Sequence, residues 1–130
     1  MTSSRTGLSR ARGLGSAKHG VGQFIAERVT AIALVPLVLW AVYAGINLSL
    51  SGYAETVAWL HQPVNAILMV LLIVAAFWHM HLGMRVIVED YIHGHFAKMV
   101  LLLLNLFVYL LGAAVAVIGV LKVAFMSGAV

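Results

Sequence analysis

Three stretches of this chain, Val29–Leu50, Pro63–Met84 and Met99–Leu121, contain no Asp, Glu, Lys or Arg over 22, 22 and 23 residues. About 20 apolar residues in a helix, rising 1.5 Å each, cross the roughly 30 Å hydrocarbon core of a bilayer. The expected fold is therefore all-α and membrane-embedded, with transmembrane helices over about 29–50, 63–84 and 99–121. Composition agrees: of 130 residues only 9% are charged and 63% are hydrophobic, whereas a soluble domain has about 25% charged residues. Three helices enclose little interior of their own, so partner helices are expected to complete the bundle.

The placement of charge gives an orientation. Arg5, Arg10, Arg12, Lys18 and Arg28 precede the first span, and no acid occurs before Glu27. Ser51–Gln62 carries no Lys or Arg, whereas Arg85–Lys98 carries two. By the positive-inside rule the amino-terminal arm and the second loop face the cytoplasm, and the first loop and carboxyl terminus lie outside. Tyr53, Trp59 and Phe125 then stand near the outer boundary, where interfacial aromatics belong. The expected division is a basic cytoplasmic arm over residues 1–22 and a three-helix anchor domain over 23–130. The Arg- and Ser-rich start also shares the composition of a mitochondrial transit peptide; it is read as a retained arm, which favours a bacterial inner membrane over a mitochondrial one. The net charge of +4 reads as topology and lipid contact rather than nucleic-acid binding, since no aromatic platform accompanies the basic residues. The absence of cysteine removes disulfides, iron–sulfur ligation and thiolate zinc sites. Any metal held here must rely on histidine.

Pro63 suits the first turn of the second helix, and Gly94 is the expected left-handed terminator at its other end. A helix over residues 63–93 would be about 46 Å long, so about two turns pass beyond the hydrocarbon. Pro36 leaves the Ile32 carbonyl of the first span without its usual donor.

Most polar groups outside the arm fall between His79 and His95, and ionisable groups at membrane depth are functional candidates by default. His79 and Gly83 are one turn apart on one face, leaving a flat recess beside an imidazole that suits a large planar ring such as haem. His81 is turned about 200° from His79, so the two cannot ligate one iron from the same helix. Asp90 lies within about 20° of the His79 face, about 16 Å further along. Glu89 and Asp90 sit at a helix carboxyl end, where the macrodipole disfavours negative charge; Arg85 and Lys98 are possible partners for Asp90. Tyr91 offers a phenol donor and a ring. Arg28 is expected at a depth similar to these acids and is suited to a carboxylate or propionate.

The pattern His79, Gly83, Asp90-Tyr91 and Ile92-His93-Gly94, with Glu27-Arg28-Val29-Thr30-Ala31-Ile32 opening the first span, resembles the cytochrome b-type hydrophobic membrane anchor subunits of succinate dehydrogenase, respiratory complex II. The resemblance covers the three spans but not the arm. It implies an anchor subunit of succinate:ubiquinone oxidoreductase, of the tricarboxylic acid cycle and electron transport chain, that is not catalytic alone. It implies His79 as one axial ligand of a b-type haem, the second coming from a partner membrane anchor subunit, with iron–sulfur and flavoprotein subunits docked on the cytoplasmic face. It further implies that Tyr91 hydrogen-bonds a ubiquinone carbonyl, that Asp90 supports that site, and that Arg28 lies near the propionates or the quinone. Position 81, often tryptophan in such proteins, is histidine here; only His79 stands in register with Gly83 and Asp90. Two other readings compete: a haemless anchor that only recruits soluble subunits, and a small transporter using the His and Asp column as a proton path.

Overall fold

A computed structural model describes residues 6–8 and 20–125. Within residues 20–125 four helices follow in order: α1 (Gly20–Leu48), α2 (Tyr53–Leu60), α3 (Pro63–Tyr91) and α4 (His95–Phe125). α1, α3 and α4 are long and apolar enough to cross a membrane; α3 and α4 contain the second and third expected spans, and α1 covers the first up to Leu48, two residues short of its expected end. The basic arm expected over residues 1–22 lies outside the described residues, apart from residues 6–8 and the opening of α1.

Each long helix exceeds its uncharged run, because hydropathy marks where the hydrocarbon ends and helicity does not have to end there. α1 is already helical at Gly20, well before Val29, and its extra turns are held by local contacts. Gln23 Nε2 donates to Glu27 Oε1 at 3.5 Å, and the Arg28 guanidinium lies 5.1 Å from the centre of the Phe24 ring. Pro36 is accommodated inside the same helix. α3 opens on Pro63, as expected, with Gln62 extended before it and the Gln62 carbonyl accepting from the Ala66 amide at 3.1 Å. Its other end differs from expectation. Ile92, in extended conformation, closes the helix, and Gly94 does not adopt a left-handed φ. The Gly94 carbonyl instead accepts from Lys98 N at 2.8 Å and so opens α4. The second loop, expected over Arg85–Lys98, shrinks to residues 92–94.

The short α2 inside the first loop was not foreseen. Gly52 caps it in extended conformation and Glu55 lies in its first turn, where the helix dipole favours an acid. Trp59 on α2 stacks on Trp40 of α1, with ring centres 5.6 Å apart.

α3 is the central helix, packed against α1 and, more extensively, against α4. Among the described residues the buried ones are Ala44, Ala66, Leu82 and Val88 together with the polar Asn65, His81 and Asn105, and no large side chain is fully buried. Large apolar side chains point outward along all three long helices, the arrangement lipid and neighbouring helices require. α3 and α4 approach closely at Gly112, where an added Cβ would come within 2.6 Å of Phe77 Cε1; small residues at such crossings let helices meet. Gly112→Leu is expected to destabilise the α3–α4 pair by about 1–3 kcal/mol through overpacking, read as a lowered midpoint in unfolding of the detergent-solubilised protein.

Candidate functional site

The two neighbouring histidines of α3 face different helices. His79 is half-buried on the α1 side, its Nδ1 2.9 Å from Thr30 Oγ1. His81 is 9% exposed on the α4 side, with Asn105 Nδ2 3.0 Å from its Nδ1 and 3.1 Å from its carbonyl oxygen. The Trp78 and Tyr109 rings flank His81 at 5.4 and 6.4 Å between centres. A rotation of about 200° between positions two apart on a helix produces this division.

Gly83, one turn beyond His79, is exposed, and no atom lies within 4 Å of where its Cβ would be. That flank of α3 is open on the surface of this chain. One cavity between α3 and α4 lies elsewhere, a space of about 320 Å³ lined by Phe77, Trp78, His81, Tyr109 and aliphatic neighbours. No cluster of three or more His, Asp or Glu suited to a metal ion occurs among the described residues. A porphyrin iron makes a smaller demand of a chain, a single axial side chain, and the His79 imidazole beside the bare backbone of Gly83 fits that chemistry.

The Thr30–His79 bond also fixes the height of α1 on α3. The helices run antiparallel, so Arg28, two residues before Thr30, is level with about residue 81 of α3. Asp90, eleven residues beyond His79, is level with the start of α1. Arg28 and Asp90 are therefore roughly 13 Å apart along the helix axes, and the expectation that they share a depth is corrected. Its cause is the register: the Thr30–His79 bond holds Arg28 near the height of that histidine, while α3 runs on as helix to Tyr91 and carries Asp90 three turns further.

The acids at the end of α3 divide their roles. Arg85 Nε donates to Glu89 Oε1 at 2.7 Å, offsetting the unfavourable position of an acid at a helix carboxyl end. Lys98 Nζ donates to the Glu89 carbonyl oxygen at 2.7 Å, capping one of the unpaired carbonyls of the last turn. Both expected partners of Asp90 are thus engaged at Glu89. Asp90 makes no hydrogen bond or ion pair among the described residues, and Tyr91 beside it is 76% exposed.

Thr30 and Asn105 were missed at the sequence level. The signal was present: Thr30 is the only serine or threonine between Val29 and Ile46, and Asn105 the only amide between Met99 and Leu121.

A three-span anchor with its polar face at one end of the central helix is the class this geometry defines. Residues 2–121 match the family model described as "Succinate dehydrogenase/Fumarate reductase transmembrane subunit", and the chain belongs to that family. Within it the similarity is to proteins named succinate dehydrogenase hydrophobic membrane anchor subunit. The one from Rickettsia bellii is 34% identical over 68% of this chain and 70% of its own length. Those from Rickettsia conorii and Rickettsia typhi are 33% and 26% identical over 68% of this chain, and over 71% and 70% of their own lengths. No solved structure matches the chain significantly.

Asn105→Leu removes the amide that joins α4 to His81. It is expected to weaken the helix pair by about 1 kcal/mol, the usual size of an interhelical hydrogen bond in a membrane protein, measured by equilibrium unfolding in mixed micelles.

Proposed function

We propose that this chain anchors a succinate:ubiquinone oxidoreductase in a bacterial inner membrane, provides one axial ligand, His79, to a b-type haem, and forms part of the ubiquinone site. A second membrane anchor subunit supplies the other axial ligand. The basic arm, residues 1–22, and the Tyr91 end of the anchor domain, residues 23–130, face the cytoplasm, where the iron–sulfur and flavoprotein subunits dock. The distribution of Lys and Arg supports that orientation.

The observation that carries the haem reading is the condition of His79. Its Nδ1 is engaged by Thr30, its Nε2 makes no hydrogen bond among the described residues, and Gly83 leaves bare backbone beside it. An imidazole oriented through one nitrogen and free at the other is what axial ligation requires. Arg28, level with this turn, is the cation available to the propionates. Haem, when bound, supplies a one-electron store within the membrane.

At the end of α3 the tasks are binding and proton supply. The Tyr91 phenol donates its O–H to a quinone carbonyl, and its ring covers one side of the headgroup. Reduction of a quinone to the quinol takes two electrons and two protons. Asp90, uncommitted to Arg85 or Lys98 at a helix end, is suited to passing protons from water. This chain contributes no succinate chemistry, which belongs to the soluble subunits.

His79→Ala is expected to abolish the reduced b-type absorbance of the purified complex; an unchanged spectrum would remove His79 from the ligand set. Tyr91→Phe removes a single hydrogen bond to substrate and should lower quinone reduction by about three- to tenfold. Succinate oxidation by an artificial dye should stay near wild type, and equal loss of both activities would rule out the quinone role.

A further inference from the structure

Two histidines two residues apart, on opposite faces of one helix, differ in what makes one of them a ligand. The hydrogen bonds around each ring supply the difference. Thr30 Oγ1 lies 2.8 Å from the Ala26 carbonyl oxygen and 3.1 Å from that of Glu27, as well as 2.9 Å from His79 Nδ1. A hydroxyl has one hydrogen and two lone pairs. Were that hydrogen directed at His79, two oxygen–oxygen contacts of 2.8 and 3.1 Å would have no hydrogen between them. The hydroxyl therefore donates back along its own helix, the usual habit of a helical threonine, and accepts from His79. The proton of His79 is on Nδ1, and Nε2 presents a lone pair.

At His81 the same logic gives the opposite result. Asn105 Nδ2 faces both the His81 carbonyl oxygen and Nδ1. Only the NH2 end of the amide can lie 3.1 Å from a carbonyl oxygen, so it donates to both. His81 Nδ1 is an acceptor, and the proton of the neutral ring is on Nε2. That nitrogen offers no lone pair to a metal.

We propose that Thr30 is the positioning residue of His79: by accepting the Nδ1–H it holds the ring in the tautomer and plane that direct Nε2 at the haem iron, while Asn105 fixes His81 in the tautomer that cannot bind it. The inference rests on the haem reading of His79 and adds the reason why this histidine, rather than its neighbour, takes the iron. An acceptor on Nδ1–H strengthens the imidazole as a donor and favours ferric over ferrous iron, so Thr30 lowers the haem potential.

The test uses the purified, detergent-solubilised complex carrying Thr30→Val, Thr30→Ser or His79→Ala. The readouts are the haem midpoint potential and the electron paramagnetic resonance g values of the ferric haem, which report the planes of the axial rings. Thr30→Val, nearly isosteric and without an acceptor, should raise the potential and shift the g values; Thr30→Ser, which restores the hydroxyl, should return both to wild type. Potential and g values unmoved in Thr30→Val would overturn the proposal, as would Thr30→Ser behaving like Thr30→Val. If Thr30→Val fails to assemble, Thr30→Ala is measured by the same two readouts against the same criteria. His79→Ala separates the two assignments. Haem lost in His79→Ala with no shift in Thr30→Val sinks the role of Thr30 alone, whereas haem retained in His79→Ala sinks the ligand assignment beneath it.

Discussion

Helices in lipid gain little from burying leucine against leucine, because the acyl chains they leave are equally apolar. What holds these helices in register is a small set of hydrogen bonds between them, and the polar composition of the interior follows. Asn105 ties α4 to His81, and Thr30 ties α1 to His79. Asn65 Nδ2 donates to the Trp59 carbonyl, joining α3 to α2, and the side chain of Lys98 reaches back from α4 to the last turn of α3. Asn65, His81 and Asn105 are buried while many leucines and valines, Leu82 and Val88 apart, face outward, in contrast to a soluble core. The Oδ1 atom of Asn105 has no partner of its own among the described residues, a cost accepted because the NH2 end is spent on His81.

The same bonds arrange the candidate site. Since each interface of α3 takes one histidine, the helix has an α1-facing ring and an α4-facing ring at almost one height. The flank with Gly83 remains open among the described residues. Further along, Arg85 and Lys98 neutralise and cap the helix end through Glu89, and Asp90 and Tyr91 are left uncommitted beside them.

Much of this was legible in the sequence, for identifiable reasons. Uncharged runs of more than twenty residues leave no alternative to membrane spans, and the spacing of His79, Gly83 and Asp90 assigns a face by arithmetic. Element ends were harder to read. Nothing in hydropathy says that α1 continues down to Gly20, or that Thr30 meets α3 at His79, and the depth of Arg28 relative to Asp90 depends on that meeting. Gly94 suggests a left-handed stop from its identity alone, yet Ile92 in extended conformation already ends α3. Thr30 and Asn105 are isolated polar residues in apolar runs, a signal the sequence reading passed over, and which histidine each one meets depends on how the helices are rotated about their axes. That rotation is a property of three dimensions.

Only residues 92–94 separate α3 from α4, so the facing helix ends lie no more than about 14 Å apart, even with the connection fully stretched. A load applied at that end of the molecule is shared by both helices, as by two legs of a staple. A soluble assembly resting on the Tyr91 end would grip a single stiff block reaching through the whole thickness of the membrane, against which α1 is packed along α3 and pinned by Thr30 and by the Trp40–Trp59 stack.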